Sequence, residues 1–389
     1  MTKIKLKQLK KLKNFMKNTK IKVYNKNFSY SVMVGNNTMN LLPKKIKEIS
    51  SNAEKIGIVF DRNVPKKYKI KIKRLLKSYK VYFFEYSTSE KLKNFSSINK
   101  FVEKCIVLNF NRNDILIALG GGIIGDFCGF AAHILKRGTH FINIPSTLLA
   151  QVDSSVGGKT GVNSKHGKNL IGTFYQPDLV LCDLSLLNSL PKRQMVCGYA
   201  EILKHALISD KKFFNWLKLN SKKILENRDY KPLNYAVTKS CKIKLIFTGQ
   251  DLYDRDMRMI LNFGHTFAHA IEVKNKYSKK VNHGEAVLVG MMLATKLSYL
   301  KKICSKKTVM DLIKIYEENK INYRLENIFK KREYNSMINF MSQDKKNDDD
   351  KINLILLNRI GKTTKPGEYK ITKKELKRIF NNQLSNFNF

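Results

Sequence analysis

The chain has 389 residues, 43% hydrophobic and 27% charged, a balance that supports packed cores and excludes a disordered polymer. Its formal net charge of +43 comes mostly from lysine scattered along the whole length. That scatter reads as compositional drift, not as the clustered, arginine-rich face of a nucleic-acid reader, and no apolar run is long enough to span a membrane. No nucleic-acid or membrane partner is therefore expected, although a positive field would gather a polyanionic small substrate.

The first twenty residues, MTKIKLKQLKKLKNFMKNTK, form a basic extension (1–20) with no acidic residue. They lack the apolar core of a signal peptide and the Arg/Ser bias of a transit peptide, so a solvated terminus is expected. From Ile21 to about Lys104, strand and helix patterns alternate. Phe28–Val34, Lys55–Phe60 and Lys80–Tyr86 read as strands, Leu41–Ser50 and Lys66–Ser78 as helices, which implies parallel βαβ units. Asp61 and Asn63 follow the second of these strands, and Glu90 and Lys93 follow the last. Taken alone they are ordinary loop residues.

The centre of the chain is richer in glycine. Ile115–Leu119 reads as a buried strand, followed by Gly120–Gly122, Gly125, Asp126 and a helix over Phe127–Leu135. Such a layout lets backbone N–H groups approach a pyrophosphate at a helix N-terminus, but GGGxxGD is not GxGxxG, and a plain tight turn uses the same glycines. A second strand, Phe141–Ile144, ends in Pro145-Ser146-Thr147, with two hydroxyls where the strand stops. SSVGGKTGVN and HGKNLIG then place Lys159 and Lys168 on glycine-rich loops suited to phosphate oxygens. GGKT is not a P-loop, because the required first glycine falls at Asp153. After a strand at Leu179–Cys182, glycine thins near Leu187 and long helical patterns take over. This divides an α/β domain, 21–186, from a mostly helical one, 187–389. Asp344–Lys351 reads as a loop before a short strand, Ile352–Leu357.

Six cysteines lie far apart with no CxxC, so they read as buried thiols of a reducing compartment. In the helical half, CGYAEILKHALI places Glu201 and Lys204 on one helix face, and LNFGHTFAHAIE does the same for His265 and His269. In NHGEAV, His283 precedes a glycine and a helix start. A carboxylate and imidazoles from separate helices are the donors expected for a divalent metal with an open position, Zn²⁺ most naturally. A helical histidine is otherwise a packed or surface residue, but the chain has only 7 histidines and three of them fall in LNFGHTFAHAIE and NHGEAV.

GGGIIGDFCGF, RGTHFINIPSTLLAQVDSSVGGKTGVN, GKNLIGTFYQP, GYAEILKHALI, LNFGHTFAHAIE and HGEAV, in this order between about Asp61 and Lys346, resemble the 3-dehydroquinate synthase family of sugar phosphate cyclases. The resemblance implies an α/β N-terminal domain with a mostly parallel, Rossmann-like sheet that binds NAD. It implies a mostly α-helical C-terminal domain holding Zn²⁺ or Co²⁺, an active site in the cleft between them, and a cytoplasmic homodimer. The implied reaction converts 3-deoxy-D-arabino-heptulosonate 7-phosphate (DAHP) to 3-dehydroquinate and phosphate, on the shikimate route to chorismate and the aromatic amino acids. Its steps are transient oxidation by NAD, elimination of phosphate, reduction and intramolecular aldol closure.

Carried over by position, Glu201, His265 and His283 match the metal ligands. Asp153, Lys159, Lys168, Asn169, Lys204, Lys244, Arg258, Asn262 and His269 match residues that hold the substrate. Arg137 matches a phosphate contact that could reach across a dimer, and Lys345 or Lys346 supplies a further lysine. Lys159, Lys204, Arg258, Asn262 and His269, with Asp254, form the implied catalytic set. NAD contacts fall on Asp61, Asn63, Glu90, Lys93, Gly121, Gly122, Ile123, Ile124, Gly125, Asp126, Ser146, Thr147, Lys159, Lys168, Leu186, Leu187, Asn188 and Ser189. The sequence departs from the family pattern at Ser146, usually threonine, at Asp254, usually glutamate, and in the N-terminal extension. Another sugar phosphate cyclase or a metal- and NAD-dependent alcohol dehydrogenase of similar fold are the competing readings. His269 argues against the first, and the number of phosphate lysines against the second.

Overall fold

The computed structural model describes residues 18–26, 28–275, 280–330, 333–342 and 351–380. They form two compact units. One comprises the described residues up to Pro191 together with Tyr230–Leu245, and the other Lys192–Asp229 and the described residues from Ile246 onward. A single cut at 186/187 therefore does not describe the division, because the chain returns to the first unit after leaving it. The return is fixed by named contacts within that unit. Asn234 Nδ2 donates to the Val34 carbonyl (3.4 Å), Cys241 Sγ to the Gln151 carbonyl (3.2 Å) and Lys244 Nζ to the Asp153 carbonyl (2.6 Å).

The first unit is built on a seven-stranded sheet. Its strands are β1 (Thr19–Asn25), β2 (Phe28–Gly35), β3 (Lys55–Asp61), β4 (Lys80–Tyr86), β5 (Ile115–Gly120) and β6 (His140–Pro145); after a separate hairpin of β7 (Lys159–Ser164) and β8 (Gly167–Phe174) comes β9 (Leu179–Asp183). The order is β1-β2-β9-β6-β5-β3-β4. β1 runs antiparallel to β2, and every other pairing in the sheet is parallel, with Ile58 beside Ile117 and Ile117 beside Ile142. A parallel sheet is covered on both faces, so its strands are near-continuous apolar runs. Helices α1 (Leu42–Ile49) and α2 (Lys66–Leu75) pack Ile46 and Ile72 with Ile58, Ile117 and Ile142 on one face. Helices α3 (Phe95–Val107) and α4 (Gly122–Ile134) pack Phe101, Cys105 and Phe127 with Val59, Leu116 and Ala118 on the other.

The expected α/β class is found, with local differences. The two glycine-lysine segments are not loops but the paired strands β7 and β8, with Lys159 opposite Phe174. Their glycines allow the close pairing: a Cβ on Gly161 would lie 2.4 Å from the Ile171 carbonyl oxygen. α4 begins at Gly122, five residues before the expected start, because the glycine turn is itself the first turn of the helix.

The second unit is helical, containing α5 (Lys192–Ser209), α6 (Lys211–Lys222), the end of α7 (Tyr230–Gln250), α8 (His265–Lys274), α9 (His283–Leu300), α10 (Lys306–Glu318) and α11 (Tyr334–Ser342). The expected strand over Ile352–Leu357 is instead two short ones, Lys351–Asn353 pairing with Lys370–Thr372 and Leu357–Arg359 with Lys362–Thr363.

Candidate active site

In the first unit the predicted NAD-contact residues gather where parallel strands end, the edge at which open α/β sheets bind ligands. Asp61, at the end of β3, accepts from the backbone and side-chain nitrogens of Asn63, both at 2.9 Å. Next door, Gly121 follows β5 and is the N-cap of α4, with no side chain to bond the first N–H groups of that helix. A Cβ on Gly122 would lie 2.9 Å from Ser154 Oγ, so a side chain there would make the Ser154 hydroxyl turn aside. Ser146, after β6, donates its backbone N–H to the Gly120 carbonyl at 2.8 Å, and Thr147 Oγ1 accepts from Ala150 N at 3.1 Å. Leu186–Ser189 lie in the 3₁₀ turn that follows β9, with the leucines buried and Asn188 and Ser189 exposed.

The hairpin β7–β8 contributes Lys159 and Lys168, and other segments of the unit bring Lys93 and Lys244. Lys93, almost fully buried, bonds both Asp126 and Asn169. Glu90 accepts from Lys168 Nζ (3.0 Å) and from Asn163 Nδ2 (2.8 Å). Burial works to raise the Glu90 carboxyl, but Asn163, Lys168 and Lys93 together hold it below its ordinary value. Burial pushes the Asp126 carboxyl up, with Lys93 pulling against it. Lys244 reaches Asp153 at 2.7 Å. Lys159 is exposed on β7. Arg137 is not with the others. It lies in the exposed turn before β6, at the opposite edge of the sheet from Ser146, with a left-handed φ of 63°.

The second unit assembles its site from three helices. Glu201 on α5 is fully buried and paired with Lys204 one turn on. Its Oε1 lies 3.5 Å from His265 Nε2 and 3.8 Å from His283 Nε2. Each histidine is the first residue of its helix, and two glycines bring those helices in. A Cβ on Gly284 would stand 2.4 Å from the Cys197 backbone of α5, and one on Gly290 2.2 Å from the Gly264 carbonyl oxygen beside His265. One ligand atom from each of Glu201, His265 and His283 falls within 4.8 Å of the others. Burial first, then the charge of Lys204 and the neighbouring His283 and His269, holds His265 well below its ordinary value, so the ring is neutral. Glu201 Oε1 accepts no hydrogen bond among the described residues. A buried anionic oxygen facing two imidazole nitrogens fits a divalent cation.

His269 is exposed one turn after His265, their rings 5.7 Å apart. Arg258 is buried, donating Nη1 to the Leu252 carbonyl at 2.7 Å and its backbone N–H to Asp251 at 3.2 Å. Asn262 closes the same 3₁₀ turn, Met257–Asn262, and Asp254 sits in the preceding loop at φ 59°. Lys345 and Lys346 lie outside the described residues. Two participants were not singled out in the sequence. Asn163 ties Glu90 to the hairpin, and Glu272 bonds His283; the signals were the TGVN and HAIE ends of motifs already noted.

A strand-end edge suited to a nucleotide in one unit and a carboxylate–bis-imidazole centre in the other fit a metal- and nucleotide-dependent enzyme. The fold agrees: 2-deoxy-scyllo-inosose synthase, solved with carbaglucose-6-phosphate, NAD⁺ and Co²⁺, matches with a TM-score of 0.83 and 25% identity over 93% of this chain and 99% of that one. The 2-epi-5-epi-valiolone synthase of Streptomyces hygroscopicus, solved with NAD⁺ and Zn²⁺, shares the fold with a TM-score of 0.81 and 24% identity, covering 92% and 97% of the two chains. Residues 83–197 match the 3-dehydroquinate synthase N-terminal domain, and residues 198–347 the C-terminal domain. The 3-dehydroquinate synthase of Pelagibacter ubique (strain HTCC1062) is 48% identical over 345 residues, 88% of this chain and 93% of the relative. The chain belongs to the 3-dehydroquinate synthase family.

Proposed function

We infer that this chain converts DAHP to 3-dehydroquinate and phosphate as a phosphate-eliminating carbon–oxygen lyase. The observation that carries the reading is the buried Glu201–His265–His283 group with Lys204 beside it, in a chain of this family. Glu201, His265 and His283 would hold Zn²⁺ or Co²⁺, and the turn Gly121–Asp126, with Asp61, Asn63, Ser146, Thr147 and Leu186–Ser189, would hold NAD. Bound there, the cation supplies Lewis acidity and NAD a redox capacity that is restored within each turnover.

The chain's own residues supply position and charge. Lys159, Asn262 and His269 hold the phosphate, with Arg137 from a second copy. A phosphate held close takes the C6 proton itself as it leaves, so no separate strong base is needed. Lys204, Lys244, Arg258, Lys168, Asn169 and Asp153 pin the substrate carboxylate and hydroxyls through the later steps, when a loose intermediate would be lost.

A homodimer is part of this reading. The exposed apolar side chains of Phe95, Leu170, Ile171 and Phe174 in the first unit support it. A cytoplasmic location is supported by six cysteines that are all free and buried. No helix among the described residues is long and apolar enough to cross a membrane.

The test is phosphate release from DAHP by the purified chain, with and without NAD⁺, before and after chelation, beside Glu201→Ala. The expected result is release that needs both cofactors, no net NADH, and loss of at least about three orders of magnitude in the variant. Net NADH accumulation would instead point to an alcohol dehydrogenase. Absence of release by a chain loaded with metal and NAD⁺ would point to a cyclase for another sugar phosphate.

A further inference from the structure

His265 and His283 present the same ring nitrogen, Nε2, to Glu201, and the reason lies on the far side of each ring. Nδ1 of His265 faces the Phe263 carbonyl oxygen at 3.2 Å, and Nδ1 of His283 faces Glu272 Oε2 at 3.3 Å. A carbonyl and a carboxylate only accept, so each ring places a proton on Nδ1 and leaves Nε2 as the nitrogen that faces Glu201. The two arrangements are not equivalent. Phe263 is two residues from its histidine in the same turn, whereas Glu272 reaches His283 from α8, a different helix. The Glu272 side chain is 12% exposed and brings a negative charge that a backbone carbonyl does not.

We propose that Glu272 is the positioning residue of the metal centre. By accepting the Nδ1 proton of His283 it fixes that ring's tautomer and orientation, and its charge makes Nε2 the stronger donor to a divalent cation. The inference rests on the metal reading above and deepens it. Glu272 closes the stretch LNFGHTFAHAIE, yet neither the metal set nor the substrate set accounts for it.

Zn²⁺ affinity of the metal-stripped full chain, measured by competition with a chromogenic chelator, tests this for wild type, E272A, E272Q and E201A. The thermal midpoint of each stripped form and the visible spectrum of each Co²⁺-loaded form are recorded alongside. E272A is expected to weaken Zn²⁺ binding about 10- to 100-fold while its stripped midpoint stays at the wild-type value. E272Q keeps an acceptor oxygen, so it should lose only a few-fold, within about 10-fold, and retain the wild-type Co²⁺ spectrum. E201A sets the scale for removal of a direct ligand. Wild-type affinity in E272A, with wild type itself binding Zn²⁺, overturns the inference and leaves the metal reading standing. Equal losses in both variants with an equally lowered stripped midpoint also overturn it, because the residue is then only structural. A wild-type chain that binds neither Zn²⁺ nor Co²⁺ overturns the metal reading and the inference with it.

Discussion

At the scale of single residues, buried charge is distributed between two kinds of site. Lys93 is buried between Asp126 and Asn169, so Lys93→Met leaves a carboxylate in a poorly hydrated place without its cation. Breaking such a pair from one side should destabilise the chain by about 3 kcal/mol. Adding Asp126→Asn should restore most of that stability without restoring NAD affinity, a coupling that urea denaturation and cofactor titration of the four cycle members would read. Lys296 on α9 is different. Burial lowers its ammonium to about 8. The depressed value means the unfolded chain holds a proton that the folded chain releases between about pH 8 and 10.4, so folded stability rises with pH across that window. Wild type should therefore gain on Lys296→Met by about 3 kcal/mol between pH 7.5 and 10.5, and chemical denaturation at the two pH values checks it.

At the scale of elements, the metal centre depends on helices that touch through glycine. Gly284→Ala puts a methyl 2.4 Å from the Cys197 backbone, which cannot step aside as a side chain would. Overpacking there should destabilise by about 1–3 kcal/mol and also weaken metal binding, since α9 carries His283. Gly249→Ala is the control: nothing lies within 4 Å of its added Cβ, and an exposed helical glycine replaced by alanine should stabilise by about 0.5–1 kcal/mol. Much at this scale was legible in the sequence. β3, β4, β5, β6 and β9 are apolar runs because both faces of a parallel sheet are covered. Helical spacing and the scarcity of histidine marked the segments that carry Glu201, His265 and His283, whereas the choice of these three as ligands came from the family resemblance. The hairpin β7–β8 was not legible, since most of β8 is exposed and shows no buried alternation. α3 was missed because FSSINKFVEKCIV buries only Ile98, Phe101 and Cys105 on a narrow face. Glu272 was invisible because its partner is set by how α8 and α9 pack, which no spacing along the chain records.

At the scale of the whole molecule, a formal charge of +43 surrounds a reaction whose proposed substrate carries a phosphate and a carboxylate. Long-range attraction should raise the capture rate at low ionic strength and fade as the Debye length shortens from about 10 Å at 0.1 M to 3 Å at 1 M salt. kcat/KM for DAHP should thus fall several-fold, on the order of 10-fold, across that range, with kcat changing much less. A flat profile would mean the scattered lysines play no part in substrate capture.

The return of Tyr230–Leu245 to the first unit has a consequence for synthesis. A ribosome that has delivered all nine strands of the first unit's sheet and hairpin has not yet delivered Asn234, Cys241 or Lys244. Until it does, the Gln151 carbonyl lacks one of its thiol donors and the Asp153 carbonyl lacks Lys244. The nascent first unit must wait for a stretch of the second to emerge before it is complete. A chain released at Pro191 would carry the nucleotide-type edge with its last fastening absent.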